Sequence, residues 1–230
     1  MAQTSTTHRQ RILDKIELNH DVNRWLIDKP EDYTFQPGQA AELALDKERY
    51  RDDPRPFTFT SLPEDPYLEF TIKTYPERDG VTDRLDGFSP GDYVLLSDPF
   101  GAIQYKGEGT FIAGGAGVTP FISILRQRFN LGDMGTNRLI FANDRAEDVF
   151  LKDEFDRLMG DRVLYLLSQE DAPFAERGKV NKALLTEHCS DFADQYFYLC
   201  GPPGMGESLK RGLIELGAEE DKIIHEDWSG

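Results

Sequence analysis

The run Phe111-Ile112-Ala113-Gly114-Gly115-Ala116-Gly117-Val118-Thr119-Pro120-Phe121 constrains this 230-residue chain more than any other. An apolar, strand-like segment meets a glycine turn, and the turn leads directly into helix-forming sequence. Glycines at such a turn let backbone approach a bulky anion. The helix behind them offers free N–H groups and the positive end of its dipole. Thr119 is expected as the N-cap and Pro120 at the first helical position. Pro120 replaces the third glycine of the common dinucleotide fingerprint. Alone, the run therefore fits either a dinucleotide turn or a tight strand–helix turn of any α/β domain.

The chain changes character near Lys106-Gly107-Glu108-Gly109. Before that point the apolar runs are short, alternating and bounded by Pro, Gly and Asp. Strands are predicted over Arg11–Leu18, Asn23–Ile27, Ala40–Leu45, Arg55–Ser61, Leu68–Thr74 and Tyr93–Leu96, forming a six-stranded antiparallel barrel that Ile103–Tyr105 closes. After it, strands alternate with helical patterns. Strands Thr110–Ala113, Arg138–Ala142, Arg162–Leu167, Gln195–Cys200 and Lys222–His225 interleave with helices Pro120–Asn130, Phe150–Met159, Asn181–Cys189 and Gly206–Leu216. That order predicts a doubly wound parallel sheet. The expected fold class is thus β + α/β, with domains at 7–106 and 107–230.

Composition excludes several classes. The net charge is −16, which disfavours nucleic acid and anionic membranes as partners. It fits either a solvated acidic face or adaptation to high salt, where like charges are screened. No apolar run approaches the roughly 20 residues that span a bilayer. Met1–Arg9 lacks an apolar signal core, so a cytoplasmic location is expected. Cys189 and Cys200 are too few for a four-cysteine iron–sulfur site, and the four histidines are scattered, so no metal is expected.

Arg55-Pro56-Phe57-Thr58-Phe59-Thr60-Ser61 is a strand with an unusual load. Alternation puts Arg55, Phe57, Phe59 and Ser61 on one face and Thr58 and Thr60 on the other. A guanidinium can clamp a phosphate, an aromatic can pack on a planar ring, and a hydroxyl can hydrogen-bond a ring nitrogen. An ordinary barrel strand with an exposed arginine is the plainer reading of the same pattern.

The segment resembles the flavin motif Arg-x-(Tyr/Phe)-(Ser/Thr)-x-x-Ser of the ferredoxin–NADP reductase superfamily. Ile72-Lys73 with Gly80-Val81-Thr82-Asp83-Arg84-Leu85 is similar to its second flavin segment. Pro99-Phe100-Gly101 is similar to the turn closing its flavin domain. Gly115–Pro120 resembles its nicotinamide-nucleotide turn, and Cys200-Gly201-Pro202-Pro203-Gly204-Met205 its Cys-Gly-Pro-x-x-Met motif. The likeness runs from about residue 10 to 228 and keeps the motif order.

The resemblance implies a site. Arg55 would bind a flavin phosphate, Phe57 stands where tyrosine is frequent, and Thr58 replaces serine near the flavin N5. Ile72 and Lys73 belong to the second flavin segment. Tyr75 would stack on adenine, favouring FAD over FMN, or else pack on the barrel rim. Gly80, Val81 and Thr82 would cradle phosphate. Gly115, Gly117, Val118, Thr119 and Pro120 would hold the nucleotide, with Gly201, Pro202 and Met205 beside them. Cys200 would position the nicotinamide. Glu226 and Trp228 resemble the Glu-x-Tyr ending of plant-type members, where the aromatic covers the flavin; this implies Glu226 as a catalytic residue with Thr58 and Cys200, and Trp228 as a movable cover or else an aromatic plug on the last strand. Ser168 marks the end of the third strand of the second domain, where a 2′-phosphate would be read. Gln169, Glu170 and Asp171 follow it in place of the arginine frequent in NADPH enzymes, while Arg145, Arg177 and Lys179 could supply charge. NADH and NADPH both stay open.

The activity implied is transfer of a hydride from NAD(P)H to bound FAD, then of single electrons to a separate ferredoxin or flavodoxin, by a monomeric chain. A free-flavin reductase is the alternative, and a non-catalytic electron-transfer or nucleotide-sensing subunit is the alternative from another class.

Overall fold

The structure is a computed structural model describing residues 7–75, 80–101 and 103–225. The chain divides into two compact units, Met1–Gln104 and Tyr105–Gly230.

The first unit contains β1 (His8–Glu17), β2 (Val22–Asp28), β3 (Ala40–Leu45), β4 (Arg55–Thr58), β5 (Tyr67–Lys73), α1 (Val81–Asp86) and β6 (Tyr93–Leu96). The strands form one sheet in the order β4-β3-β6-β1-β2-β5, with every pair antiparallel. Its two edges meet. β4 pairs with β3 as far as Thr58; then Phe59 bridges Phe70, and the Thr60 N–H donates to the Glu69 carbonyl at 2.8 Å. The run 55–61 therefore passes from one partner strand to the other and nearly closes the barrel, removing an exposed edge. Ile103–Tyr105 forms no strand, so the closure expected there belongs instead to Phe59 and Thr60. Trp25, Ile27, Leu43, Phe59, Phe70 and Val94 fill the interior, and Val81 and Leu85 dock α1 on it. Each such side chain contributes about 1.5–3 kcal/mol when fully buried.

The second unit runs β7 (Gly109–Gly114), α2 (Thr119–Asn130), β8 (Arg138–Asn143), α3 (Lys152–Met159), β9 (Val163–Leu167), β10 (Glu176–Arg177), α4 (Lys182–His188), β11 (Tyr196–Cys200), α5 (Met205–Glu215) and β12 (Ile223–His225). The sheet order is β10-β9-β8-β7-β11-β12, with every pair parallel. From β7 the chain winds outward through β8 and β9, then returns to lay β11 on the other side of β7. The winding reverses between β7 and β11, and ligands of open α/β sheets bind outside the carboxyl ends of strands at such a reversal. Both faces are covered. Ile112, Ile140 and Leu199 pack with Leu185 of α4 and Leu209 and Leu213 of α5. On the other face Phe111 meets Phe121 of α2, and Phe141 meets Phe155 of α3.

One local expectation is corrected and one element was not expected. α3 starts at Lys152, because Leu151 before it adopts a left-handed φ of 57°. Glu176–Arg177 forms a short edge strand on β9 that carries too few residues to show a period.

Candidate functional site

Two glycine-bearing turns meet at the ends of β7 and β11. Ala113 and Cys200 are register partners there. A Cβ at Gly117 would lie 2.4 Å from the Cys200 carbonyl oxygen and 2.7 Å from the Gly201 nitrogen. A Cβ at Gly114 would lie 2.8 Å from both the Met205 sulfur and Pro202 Cδ, and one at Gly201 would lie 2.6 Å from the same sulfur. Gly117 is thus required by backbone of the facing turn and Gly114 by the rigid ring of Pro202, whereas at Gly201 the obstacle is the flexible Met205 side chain. Gly115 differs. Its φ is +53°, and nothing lies within 4 Å of its Cβ position. It faces open space, as a backbone cradle for a ligand must.

Gly115–Val118 forms a single 3₁₀ turn that runs into α2. Val118 is the N-cap, and Thr119 already lies inside the helix. The Thr119 hydroxyl donates to the Ala116 carbonyl at 3.0 Å, so the expectation of a Thr119 cap is corrected: the 3₁₀ turn takes up the start of the helix. Val118 and Pro120 are buried. Cys200 is 5% exposed at the end of β11. Pro202 is exposed, and Met205 is half-buried against the core beneath.

The ends of β8 and β9 carry a polar edge. The Ser168 hydroxyl donates to the Asp144 carboxylate, and the Ser168 N–H donates to the Asn143 carbonyl at 3.0 Å. The Glu170 carboxylate accepts from the Ala146 N–H. Arg145 lies 4.0 Å from Glu170 and Arg177 lies 3.6 Å from Asp171. The side-chain nitrogen of Asn143 is buried without a hydrogen-bond partner among the described residues. Sequence reasoning missed Asn143 and Asp144. The available signal was a carboxamide and a carboxylate directly ending the apolar run Leu139–Ala142.

In the first unit Arg55 is exposed, with its guanidinium 2.5 Å from the Asp53 carboxylate. Phe57 packs partly against the barrel core, so less of its ring is free than expected. Thr58 is 7% exposed, and its hydroxyl bonds no other described residue. Ile72 and Val81 spend their side chains in the core, which leaves only their main chains to a ligand. Lys73 lies 2.8 Å from the Asp21 carboxylate. Tyr75 is half-buried just beyond β5, and Gly80 precedes α1 as its N-cap, with Thr82 half-buried behind it. Thr60 donates to Glu69 at 2.8 Å, and Glu69 lies 3.5 Å from Arg24, so this polar set braces the segment just after β4 against β5 and β2. Glu226 and Trp228 lie outside the described residues.

Residues 111–211 match the oxidoreductase NAD-binding domain family. NADH-cytochrome b5 reductase 1 of Aspergillus terreus is 31% identical over 225 residues, covering 89% of this chain and 76% of that protein. The chain belongs to the ferredoxin reductase-like oxidoreductases. The corresponding protein of Eremothecium gossypii is also 31% identical, over 74% of this chain and 64% of that one. The chain thus spans about two thirds to three quarters of these relatives. A ferredoxin NADP+ reductase from Neisseria gonorrhoeae, solved with FAD and NADP bound, shares the fold with a TM-score of 0.85 at 22% identity, over 96% of this chain and 98% of that one.

Members of this family are NAD(P)H-dependent flavoproteins, and the residues present fit both groups. The open left-handed Gly115 and the exposed end of the β7–β11 reversal suit a dinucleotide. The exposed Arg55 and the Thr58 hydroxyl, which bonds no other described residue, suit a flavin. Among the described residues no helix is long and apolar enough to cross a membrane.

Proposed function

We propose that the chain is an NADH-dependent, FAD-containing reductase that passes electrons to a separate small redox protein. The observation that carries this reading is the backbone-to-backbone packing of the Gly114–Gly117 turn on the Cys200–Gly201 turn at the winding reversal of a parallel sheet. FAD held here would supply the link between two-electron chemistry of a reduced nicotinamide and one-electron transfer. Arg55 neutralises a flavin phosphate, with Lys73, Thr82 and the main chain at Gly80 and Val81 as further contacts. The Thr58 hydroxyl hydrogen-bonds the flavin ring, and Tyr75 meets the adenine. Gly115 lets the pyrophosphate approach the 3₁₀ turn, and Cys200 sets the place of the nicotinamide. These groups orient and exclude water; no side-chain nucleophile is required.

NADH is favoured over NADPH because Asp144 and Glu170 put carboxylates at the edge where a 2′-phosphate would lie. The neighbouring arginines also already face acids, Arg145 against Glu170 and Arg177 against Asp171. Ferredoxin or flavodoxin is the acceptor expected from the sequence. The name of the Aspergillus terreus relative points to cytochrome b5, and reduction assays with each carrier decide between them.

The test is to purify the full chain, dialyse it, release any bound pigment and identify it. Equimolar FAD is expected. A protein that retains no flavin yet oxidises NADH with added FAD would instead be a free-flavin reductase. A protein that binds no flavin at all would overturn the reading.

A further inference from the structure

Asn143 ends β8, between the glycine turn after β7 and the Ser168 edge after β9. It is 8% exposed, and its amide nitrogen has no hydrogen-bond partner among the described residues. A buried donor left unpaired destabilises the chain that holds it. The position is not one where an unpaired amide arises by default. Asn143 follows Leu139, Ile140 and Phe141, all buried and apolar, and a leucine or valine would continue that run at no such cost.

Alternation gives the side of the sheet. Phe141 packs on Phe155 of α3, whereas Ile140 joins the cluster with α4 and α5. Two residues beyond Phe141, Asn143 belongs to the α2–α3 face. That is the face from which α2 departs behind the Gly115–Val118 turn, and β8 packs against that turn. The main-chain groups of Asn143 are engaged with β9: its carbonyl accepts from the Ser168 N–H at 3.0 Å. The strand end is therefore held in place and the carboxamide is left over.

We propose that the Asn143 carboxamide is a nucleotide-binding group. It donates to a phosphate or ribose oxygen in the adenosine half of the dinucleotide, between the pyrophosphate at Gly115 and the ribose edge at Asp144 and Ser168. An amide N–H is matched to such oxygens: it is neutral, so it suits the ribose of NADH, and it needs no competing cation. This inference rests on the nucleotide site proposed above and assigns it a residue of its own.

The test uses the full-length chain, with NAD+, ADP-ribose and nicotinamide mononucleotide titrated separately by calorimetry, alongside thermal melts without ligand. Asn143→Leu removes the donor while keeping the number and branching of side-chain heavy atoms. The expected result is a Kd about tenfold higher for both NAD+ and ADP-ribose, equivalent to about 1.4 kcal/mol. Nicotinamide mononucleotide affinity should be unchanged, and the ligand-free Tm equal or higher because the unpaired donor is gone. Should Asn143→Leu misfold, Asn143→Asp is read in the same way; it keeps the shape, sets a carboxylate against the ligand oxygens and should weaken ADP-ribose further. Unchanged ADP-ribose affinity in a folded variant, with wild type binding normally, overturns the role of Asn143 alone. Wild type that binds neither NAD+ nor ADP-ribose overturns the nucleotide site and this assignment together.

Discussion

The carbonyl oxygen of Cys200 stands 2.4 Å from the point that a Cβ on Gly117 would occupy. The obstacle is backbone of a buried strand end, which has no flexible group to move aside. Gly117→Ala should therefore cost about 3 kcal/mol, the upper part of the overpacking range. Gly115→Ala meets open space and bears only left-handed strain, about 1 kcal/mol. Urea melts of the two variants check the order, and equal losses would contradict it.

Tyr198 ties the start of the second unit to β11. Its hydroxyl accepts from the N–H groups of Lys106 at 2.8 Å and Gly107 at 3.1 Å, and donates to the Gly107 carbonyl at 2.7 Å. Tyr198→Phe should cost about 1–3 kcal/mol by leaving backbone groups unpaired. Burial pushes the Tyr198 hydroxyl up to about 12. A folded pKa above the unfolded value means that the stabilisation is complete below about pH 10 and fades as the pH rises toward the folded value. Denaturant melts at about pH 8 and about pH 11 should show the gap between wild type and Tyr198→Phe narrowing. A constant gap would exclude the ionisation.

Arg55 is exposed and, among the described residues, pairs only with nearby Asp53 and the Pro54 carbonyl. A surface pair of this kind is worth about 0–1 kcal/mol. Arg55→Ala should leave the flavin-free protein within about 0.5 kcal/mol of wild type. FAD binding should weaken by about 1.5–3 kcal/mol through loss of a charged hydrogen bond. Flavin retention after dialysis and the melting curve separate these effects, and full retention would remove Arg55 from the site.

Thr58→Val and Cys200→Ala should each slow flavin reduction by about tenfold or more, since small misplacements of reacting groups are costly. Their stability should change by only about 1 kcal/mol. Stopped-flow reduction at the wild-type rate in both variants would sink the assignment.

Most of the fold was legible because its strands carry strong period-two patterns and its helices follow them in strict alternation. Ala40–Leu45 and Tyr93–Leu96 stand where the sequence places them. What escaped has identifiable causes. Thr119 reads as a cap because Ser and Thr favour that place, but the Gly115–Val118 turn already supplies helical geometry ahead of it. Ile103–Tyr105 reads as a strand from composition, whereas closure depends on pairing between Phe59 and Phe70, distant in sequence. The flavin contacts proposed for the first unit rest on motif order. Ile72 and Val81 lie in the core with their side chains, which no motif reveals. For Asn143 the sequence offers only a carboxamide at the end of an apolar run; that its nitrogen is buried without a partner among the described residues shows only in three dimensions.

The central claim is that this chain moves electrons from NADH to a flavin it holds. Anaerobic mixing of the FAD-loaded protein with NADH, followed by visible absorbance, tests it most directly. The account predicts rapid bleaching of the oxidised flavin spectrum, faster with NADH than with NADPH, and return of the spectrum when an oxidised one-electron carrier is added. A flavin spectrum that stays unchanged with both nucleotides would contradict it.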